Sequence, residues 1–418
     1  MAKEIEKRVP KLRFKGFTDD WKQHKLKEFG QATGGTSIES EFIEGGKYKV
    51  ISIGSYSEQS VYKDQNIRVE LTDKTRSRVL NKDDLTMILN DKTTSGNIIG
   101  RVLLIESDDS YVYNQRTERI EPDHKKYDSQ FLYQMFNAPI IRSKIIKKAQ
   151  GNTQIYVNWS AISELDYLIP KLVEQSQIGL FFKYLDNCIT LHQRKLAQLE
   201  KLKQALLQQM FPKKDETVPK LRFANFDGNW KQHRLGELGE TKSGIGFPDE
   251  EQGGKKGIPF FKVSDMNNIG NEHEMKNSNN YVDTEQLKKR NWKPIMNVPA
   301  VIFAKVGAAI MLNRKRIVRT PFLLDNNTMA YIFGDSWNSD FGKILFETIY
   351  LPRYAQVGAL PSYNSSDINS IKVFIPNKNE QEIIGVFFKE LDNLITVHHH
   401  RLDQLKSLKK ELLQQMFI

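Results

Sequence analysis

The sequence predicts a mixed α+β protein: two dissimilar globular domains joined by two long helices, laid out as a pseudo-two-fold internal repeat. Three observations predict it. Short blocks recur 206 to 209 residues apart. The block that closes each repeat carries coiled-coil periodicity. The stretches between blocks hardly resemble each other, and they mix strand-like with helical runs.

The opening block is Val9-Pro10-Lys11-Leu12-Arg13-Phe14, which returns as Val218-Pro219-Lys220-Leu221-Arg222-Phe223. Trp21-Lys22-Gln23-His24 returns as Trp230-Lys231-Gln232-His233. Leu206-Leu207-Gln208-Gln209-Met210-Phe211 returns as Leu412-Leu413-Gln414-Gln415-Met416-Phe417.

The closing block reads as a helix of about 37 residues, roughly 55 Å long. Its apolar positions are Ile178, Phe181, Leu185, Ile189, Leu196, Leu199, Leu206 and Met210. The copy has Ile384, Phe387, Leu391, Ile395, Leu402, Leu405, Leu412 and Met416. With His192 and His398 counted, steps of four and three alternate, which is a seam of period 3.5. Lys203 and Lys409 interrupt both seams at one matching position, where polar residues can fix register at a cost in stability. An exposed apolar stripe does not stand alone, so each seam is expected to cover the other as a two-helix rod. Pro170 and Pro376 precede the helices, as suits an extended lead-in.

Strand-like runs between the blocks include residues 49–53, 102–105, 259–263 and 300–303. A helical stretch over 128–150 is broken at Pro139, and 341–355 is broken at Pro352. Lys213-Lys214-Asp215-Glu216-Thr217 is a charged linker. The expected division is an N-terminal segment 1–14, a globular domain 15–167, a helix 168–212, a linker 213–223, a second domain 224–373 and a helix 374–418. The repeat order makes the layout effectively circular, with the C-terminus beside residues 1–14.

Composition sets outer bounds. No stretch approaches the ~20 apolar residues of a membrane helix, and the Lys- and Glu-rich start does not read as a signal peptide. The single cysteine, Cys188, excludes an internal disulfide framework, fits a reducing cytoplasm and reads as a small core residue. The net charge of +11 admits a polyanionic partner, and a basic linker on an ordinary soluble protein accounts for it equally. The charge is 0 over 15–167, so a DNA-binding face there must be locally basic, with Asp83-Asp84 and Asp108-Asp109 on the far face.

The ordered, duplicated set of blocks resembles the specificity (S, HsdS) subunits of Type I restriction–modification systems, over nearly the whole length. Beside the lead and the tryptophan, the marks are Ile169-Pro170, Glu174-Gln175 and Leu185-Asp186, then Ile375-Pro376, Glu380-Gln381 and Leu391-Asp392. The resemblance implies two target-recognition domains, each reading half of a split double-stranded DNA target. It implies that the helices form an antiparallel coiled coil holding the domains apart. It further implies two methyltransferase (modification, M) subunits on the conserved parts, restriction (R) subunits joining them, and no chemistry in this chain. S-adenosylmethionine, ATP and Mg are then expected on the partners, none on this chain, in a cytoplasmic phage-defence complex.

The residues agree with a non-catalytic role. There is no Asn-Pro-Pro-Tyr/Phe string of amino-group DNA methyltransferases; Asn137-Ala138-Pro139-Ile140 is the nearest approach. No phosphate-binding Walker loop occurs. Adjacent His398, His399 and His400 point in different directions on a helix and do not converge on one metal ion.

Base reading needs Arg, Lys, Asn and Gln, and phosphate contact needs basic or hydroxyl groups. In the first domain the candidates are Arg76, Arg78, Lys92, Thr93, Asn114 and Arg116. To these are added the helix-end cluster Arg142, Lys144, Lys147 and Lys148, and the loop residues Asn152, Gln154 and Tyr156. In the second they are Lys288, Lys289 and Arg290, then Lys305, then the dense run Arg314, Lys315, Arg316 and Arg319. Arg353, Tyr354, Tyr363 and Asn364 complete the set, at the matching helix end and loop. By order along the chain, Lys305 falls where the first domain has its Lys92 loop. The competing reading is a coiled-coil scaffold whose domains bind proteins, without sequence-specific DNA binding.

Overall fold

The computed structural model describes residues 8–213, 216–356 and 360–418. Residues 1–7 of the N-terminal segment, and Lys214 and Asp215 of the linker, lie outside them. The chain divides into two compact units, one formed up to Leu191 with 402–418, the other of 192–401. No helix among the described residues is long and apolar enough to cross a membrane.

In the first unit, Lys22–Lys25 pairs antiparallel with Asp166–Ile169 and closes the globular part at its base. A four-stranded sheet runs in the order Gly30–Gly34, Thr117–Pro122, Leu85–Ile88, Val102–Leu104. A three-stranded sheet places Tyr48–Ile51 between Arg68–Val69 and Tyr111–Tyr113. The helix Ser129–Asn137 starts where the Asp128 carboxylate accepts from the Phe131 N–H, and it buries Phe131, Leu132, Met135 and Phe136. Pro139 opens the next helix, Pro139–Ile146, in the first turn where a missing N–H costs nothing.

The repeated residues turn out to be hydrogen-bonding fixtures. Arg13 grips Glu174 through two bonds of 2.7 and 2.8 Å. Gln175 is buried; its amide donates to the Pro170 and Lys126 carbonyls and accepts from the Asp128 N–H. Trp21 is buried against Phe131. The Leu12 N–H donates to the Gln415 carbonyl at 3.0 Å, so the start of the chain adjoins its end, as the circular layout requires.

The second unit repeats this plan. Lys231–Arg234 pairs with Lys372–Ile375. Its four-stranded sheet is Gly239–Ser243, Thr328–Phe333, Ala300–Ala304, Lys315–Val318, and its three-stranded sheet is centred on Ile258–Phe261. Arg222 grips Glu380 at 2.7 and 2.8 Å, Gln381 binds the Asn338 N–H and the Pro376 carbonyl, and the Leu221 N–H donates to Gln209. Sequences that differ between the blocks therefore form one strand order: the inner strands Leu85–Ile88 and Ala300–Ala304 are buried along their whole length, and burial asks for apolar side chains of suitable size without specifying identity.

The long helices are Leu172–Gln209 and Lys378–Gln415, 38 residues each. In the first unit, 172–191 packs antiparallel against 402–415: Leu185, Leu405 and Leu413 share one core, and Lys409 meets Asp186 at 2.6 Å. In the second, 192–209 packs against 378–401: Lys203 meets Asp392 at 2.6 Å, and His192 meets His398 at 2.9 Å. The seam residues Leu185, Ile189, Leu196, Leu199, Leu206, Met210, Leu391, Ile395, Leu402, Leu405, Leu412 and Met416 are all buried or half-buried.

Three expectations are corrected. Phe182 and Phe388, not Phe181 and Phe387, are the fully buried phenylalanines, because the first turns of each helix face the globular body as well as the seam. Phe181 and Phe387 instead meet Phe14 and Phe223 edge-on. Cys188 is exposed: it stands at the edge of the seam, in the place that exposed Leu394 fills in the other helix. Asp84 does not belong to an acidic outer face: it is buried and paired with Arg119 at 2.9 Å, and burial pushes its carboxyl up.

Candidate nucleic-acid interface

Each unit holds a cradle of loops at one end of its four-stranded sheet, and the backbone hydrogen bonds of the two cradles correspond. In the first unit the Leu89 N–H donates to the Arg116 carbonyl (2.9 Å), and the Val157 N–H donates to the Leu89 carbonyl (2.8 Å). In the second, Lys305 donates to Asn327 (2.7 Å) and Tyr363 donates to Lys305 (3.0 Å). Gln150 bridges Tyr156 in one, and Gln356 bridges Ser362 in the other. Gly35 and Gly244 pass so close to the Asn114 and Asp325 carbonyls (2.0 and 1.8 Å from a built Cβ) that no side chain fits there.

This cradle gathers many of the first-domain candidates. Ile155–Tyr156 pairs antiparallel with Asn90–Asp91, which brings the loop of Lys92 and Thr93 beside that of Asn152, Gln154 and Tyr156. These side chains are all exposed, and apart from Thr93, whose hydroxyl donates to Asp91, none has a side-chain hydrogen bond among the described residues. Lys147 and Lys148 are exposed just beyond the helix end, as is Arg76 on its own turn. Arg116 is exposed at the edge of the cradle, in the left-handed backbone region with φ +65.

Other candidates are held inside. Arg142 donates to the carbonyls of Gly96, Asn97 and Ile99 at 3.0 to 3.1 Å, and burial pulls its guanidinium down to about 10. It shapes the Lys92 loop from behind. Asn114 is buried and accepts from the Ile38 N–H. Arg78 donates to the Gly34 carbonyl and lies over the Tyr113 ring; Lys144 lies over Tyr167.

The densest basic run of the second unit is spent on internal contacts. Lys315 is buried and donates to the Ile349 carbonyl at 2.6 Å; burial pushes its ammonium down to about 8. Arg316 donates to the Asn271 carbonyl, Arg314 to Asn267, and Arg319 to Asp340. Strand Lys315–Val318 places alternate residues on opposite faces, and both faces are covered. Lys289 and Arg290 pair with Glu251, leaving Lys288 exposed. Tyr363 is buried against Phe303, and Asn364 caps the helix Ser365–Asn369. Lys305, Arg353 and Tyr354 are presented at or beside the cradle, Lys305 half-buried and the other two exposed.

Asn327 escaped sequence reasoning although it corresponds to Arg116. The signal was present: Asn114-Gln115-Arg116-Thr117 and Asp325-Asn326-Asn327-Thr328 share an acid-or-amide residue three places before a threonine that starts a strand.

A separate charged cluster sits under the seam of the second unit. His273, Glu347 and Asp392 bring potential ligand atoms within 4.8 Å of one another. Lys203 and Lys343 contact both carboxylates, so two ammonium groups already supply the countercharge that a metal ion would bring.

A duplicated α+β body, with one loop cradle per unit and a paired helical segment beneath each, defines a class of two-headed recognition proteins with no assembled catalytic constellation among the described residues. The chain matches the Type I restriction modification DNA specificity domain twice, over residues 18–201 and 227–407. It belongs to that family, as a DNA sequence-specificity subunit. It is 20% identical over 347 residues to the Type I restriction enzyme MjaVIII specificity subunit of Methanocaldococcus jannaschii, covering 80% of this chain and 78% of the relative. The putative MjaX specificity subunit of the same organism is 22% identical over 336 residues, covering 75% and 73%. The crystal structure of the S subunit of a Type I system from M. genitalium shares the fold, with TM-score 0.69 at 16% identity over 98% of this chain and 99% of that one. A chain from a structural study of Type I complex assembly and conformational transition gives 0.53 at 15% identity, covering 95% and 97%.

Proposed function

We propose that each unit reads one half of a bipartite, asymmetric DNA target, that the paired helices set the gap between the halves, and that the chain performs no chemistry itself. The observation that carries this reading is the pair of cradles: one hydrogen-bonded frame, two different sets of exposed polar side chains. A common frame approaches DNA in a common way, and dissimilar side chains select dissimilar bases. In the first unit the contacting groups are Lys92, Thr93, Arg116, Lys147, Lys148, Asn152, Gln154 and Tyr156. In the second they are Lys288, Lys305, Arg353 and Tyr354.

Modification subunits dock on the helices, and restriction subunits join the complex. A second apolar stripe supports this, outside the seam of each helix: Leu180, Tyr184 and Leu191 on one, Val386, Leu394 and Val397 on the other are exposed. Two corresponding stripes suit two copies of one partner, each offering an apolar helix face. S-adenosylmethionine, ATP and Mg then act on those partners, in the cytoplasm.

Long-read methylome sequencing of a strain carrying this chain with its partners tests the reading. Two different short half-sites separated by a fixed gap are expected. A continuous or palindromic target would sink it, and so would a complex that methylates without sequence preference.

A further inference from the structure

Arg116 combines three features found together nowhere else in its cradle. Its carbonyl accepts from Leu89 and so forms part of the frame. Its backbone has φ +65, a conformation that a residue with a Cβ adopts at a cost and that clusters at functional sites. Its guanidinium is exposed and, among the described residues, has no hydrogen-bond or ion-pair partner. The neighbours on either side are committed: Gln115 donates to Glu39, and Thr117 is buried.

Asn327 occupies the corresponding place. Its carbonyl accepts from Lys305, the following Thr328 accepts from Gly244 as Thr117 does from Gly35, and the preceding Asp325 N–H donates to Phe261 as Asn114 does to Ile51. Its side chain is exposed. One amide N–H reaches Asp325 at 3.3 Å, which leaves the oxygen and the other N–H free.

We infer that Arg116 and Asn327 are corresponding specificity-determining residues, Arg116 reading a guanine in one half-site and Asn327 an adenine in the other. A guanidinium donates twice, matching the O6 and N7 acceptors of guanine in the major groove. A carboxamide donates once and accepts once, matching N7 and the N6 amino group of adenine. The inference rests on the proposed DNA reading of the cradles and adds which residue reads which base.

The test uses the complex assembled with its modification subunit, carrying R116A, R116N or N327A, with binding measured on a library randomised over both half-sites. R116A is expected to lower the preference for guanine at one position of one half-site by roughly 5- to 150-fold and to leave the other half-site intact. N327A does the same for an adenine in the opposite half-site. R116N, which tolerates the left-handed backbone, moves the preference at the Arg116 position toward adenine. The unaffected half-site reports in each case that the variant has folded. The assignment is overturned if R116A and N327A leave every base preference unchanged. It is equally overturned if they weaken all sequences alike and flatten the salt dependence, the signature of phosphate contact. A wild-type complex with no half-site preference would instead overturn the underlying DNA reading, and the assignment with it.

Discussion

Lys203 Nζ lies 2.6 Å from Asp392 Oδ1 across the seam of the second unit, and 2.5 Å from Glu347. Lys343 contacts the same two carboxylates, so four charges alternate in sign beneath the helices. The matching lysine of the first unit, Lys409, meets Asp186 alone among the described residues, and the second oxygen of Asp186 accepts from the uncharged Gln134.

That difference predicts unequal costs. Lys203→Ala leaves two carboxylates facing one ammonium in a mostly buried place, a loss on the order of 3 kcal/mol. Lys409→Ala breaks a more exposed pair and is expected to lose about 1 kcal/mol or less. Urea midpoints of the two variants, measured on the same assembled protein, check the order. Equal losses would mean that the buried network adds nothing.

Acid should weaken the second unit through His273. Burial pulls its imidazole down to about 4, against the attraction of Asp392 at 3.5 Å. The folded unit then keeps His273 neutral while the unfolded chain takes up a proton near pH 6.5. The unfolded state binds more protons, so stability falls as pH drops from about 6.5 toward 4 and this contribution levels off below. His273→Gln should flatten the fall in thermal midpoint between pH 7 and 5; an unchanged slope would remove His273 from the account.

Gly385 is the place where the second helix crosses Ser339–Thr348. A Cβ there would lie 2.7 Å from the Phe341 nitrogen and 2.8 Å from the Asn338 side-chain oxygen. Alanine normally favours a helix over glycine by about 1 kcal/mol. Here the backbone contact must open, so Gly385→Ala is expected to destabilise by about 1–3 kcal/mol despite the better propensity. A rise in the unfolding midpoint would contradict the close crossing.

The outer stripe separates docking from folding. Leu191→Lys with Val397→Lys changes two exposed side chains, and each should alter stability by no more than about 0.5 kcal/mol. The doubly substituted chain should melt like the parent and lose modification subunits in a co-purification assay. Retained subunits would place docking elsewhere.

Much of this architecture was legible because its signals are local. A seam of period 3.5, a proline before each helix and a proline that breaks a helical run act within a few residues. Duplication let each reading be checked against its copy. Arg13 and Glu174 could be marked as frame residues, but their mutual grip could not be read, because 161 residues separate them.

The cradle shows the limit more sharply. Arg314, Lys315, Arg316 and Arg319 form the richest basic run of their unit and look like a DNA-facing patch, yet they bind carbonyls, an amide and carboxylates inside it. Asn327 belongs to no basic run and stands in the corresponding position to Arg116. Charge density along a chain does not reveal which side chains a sheet will cover.

By itself the sequence determined the two helices, their seam, the repeated lead-ins and the family, all of which follow from periodicity and from blocks that occur twice. Only the tertiary structure decided which polar groups remain open to a ligand. Strand order brings together residues far apart in sequence, and burial then forces a buried cation to find a carbonyl or a carboxylate. Those left unsatisfied by the protein are the ones free to read something else.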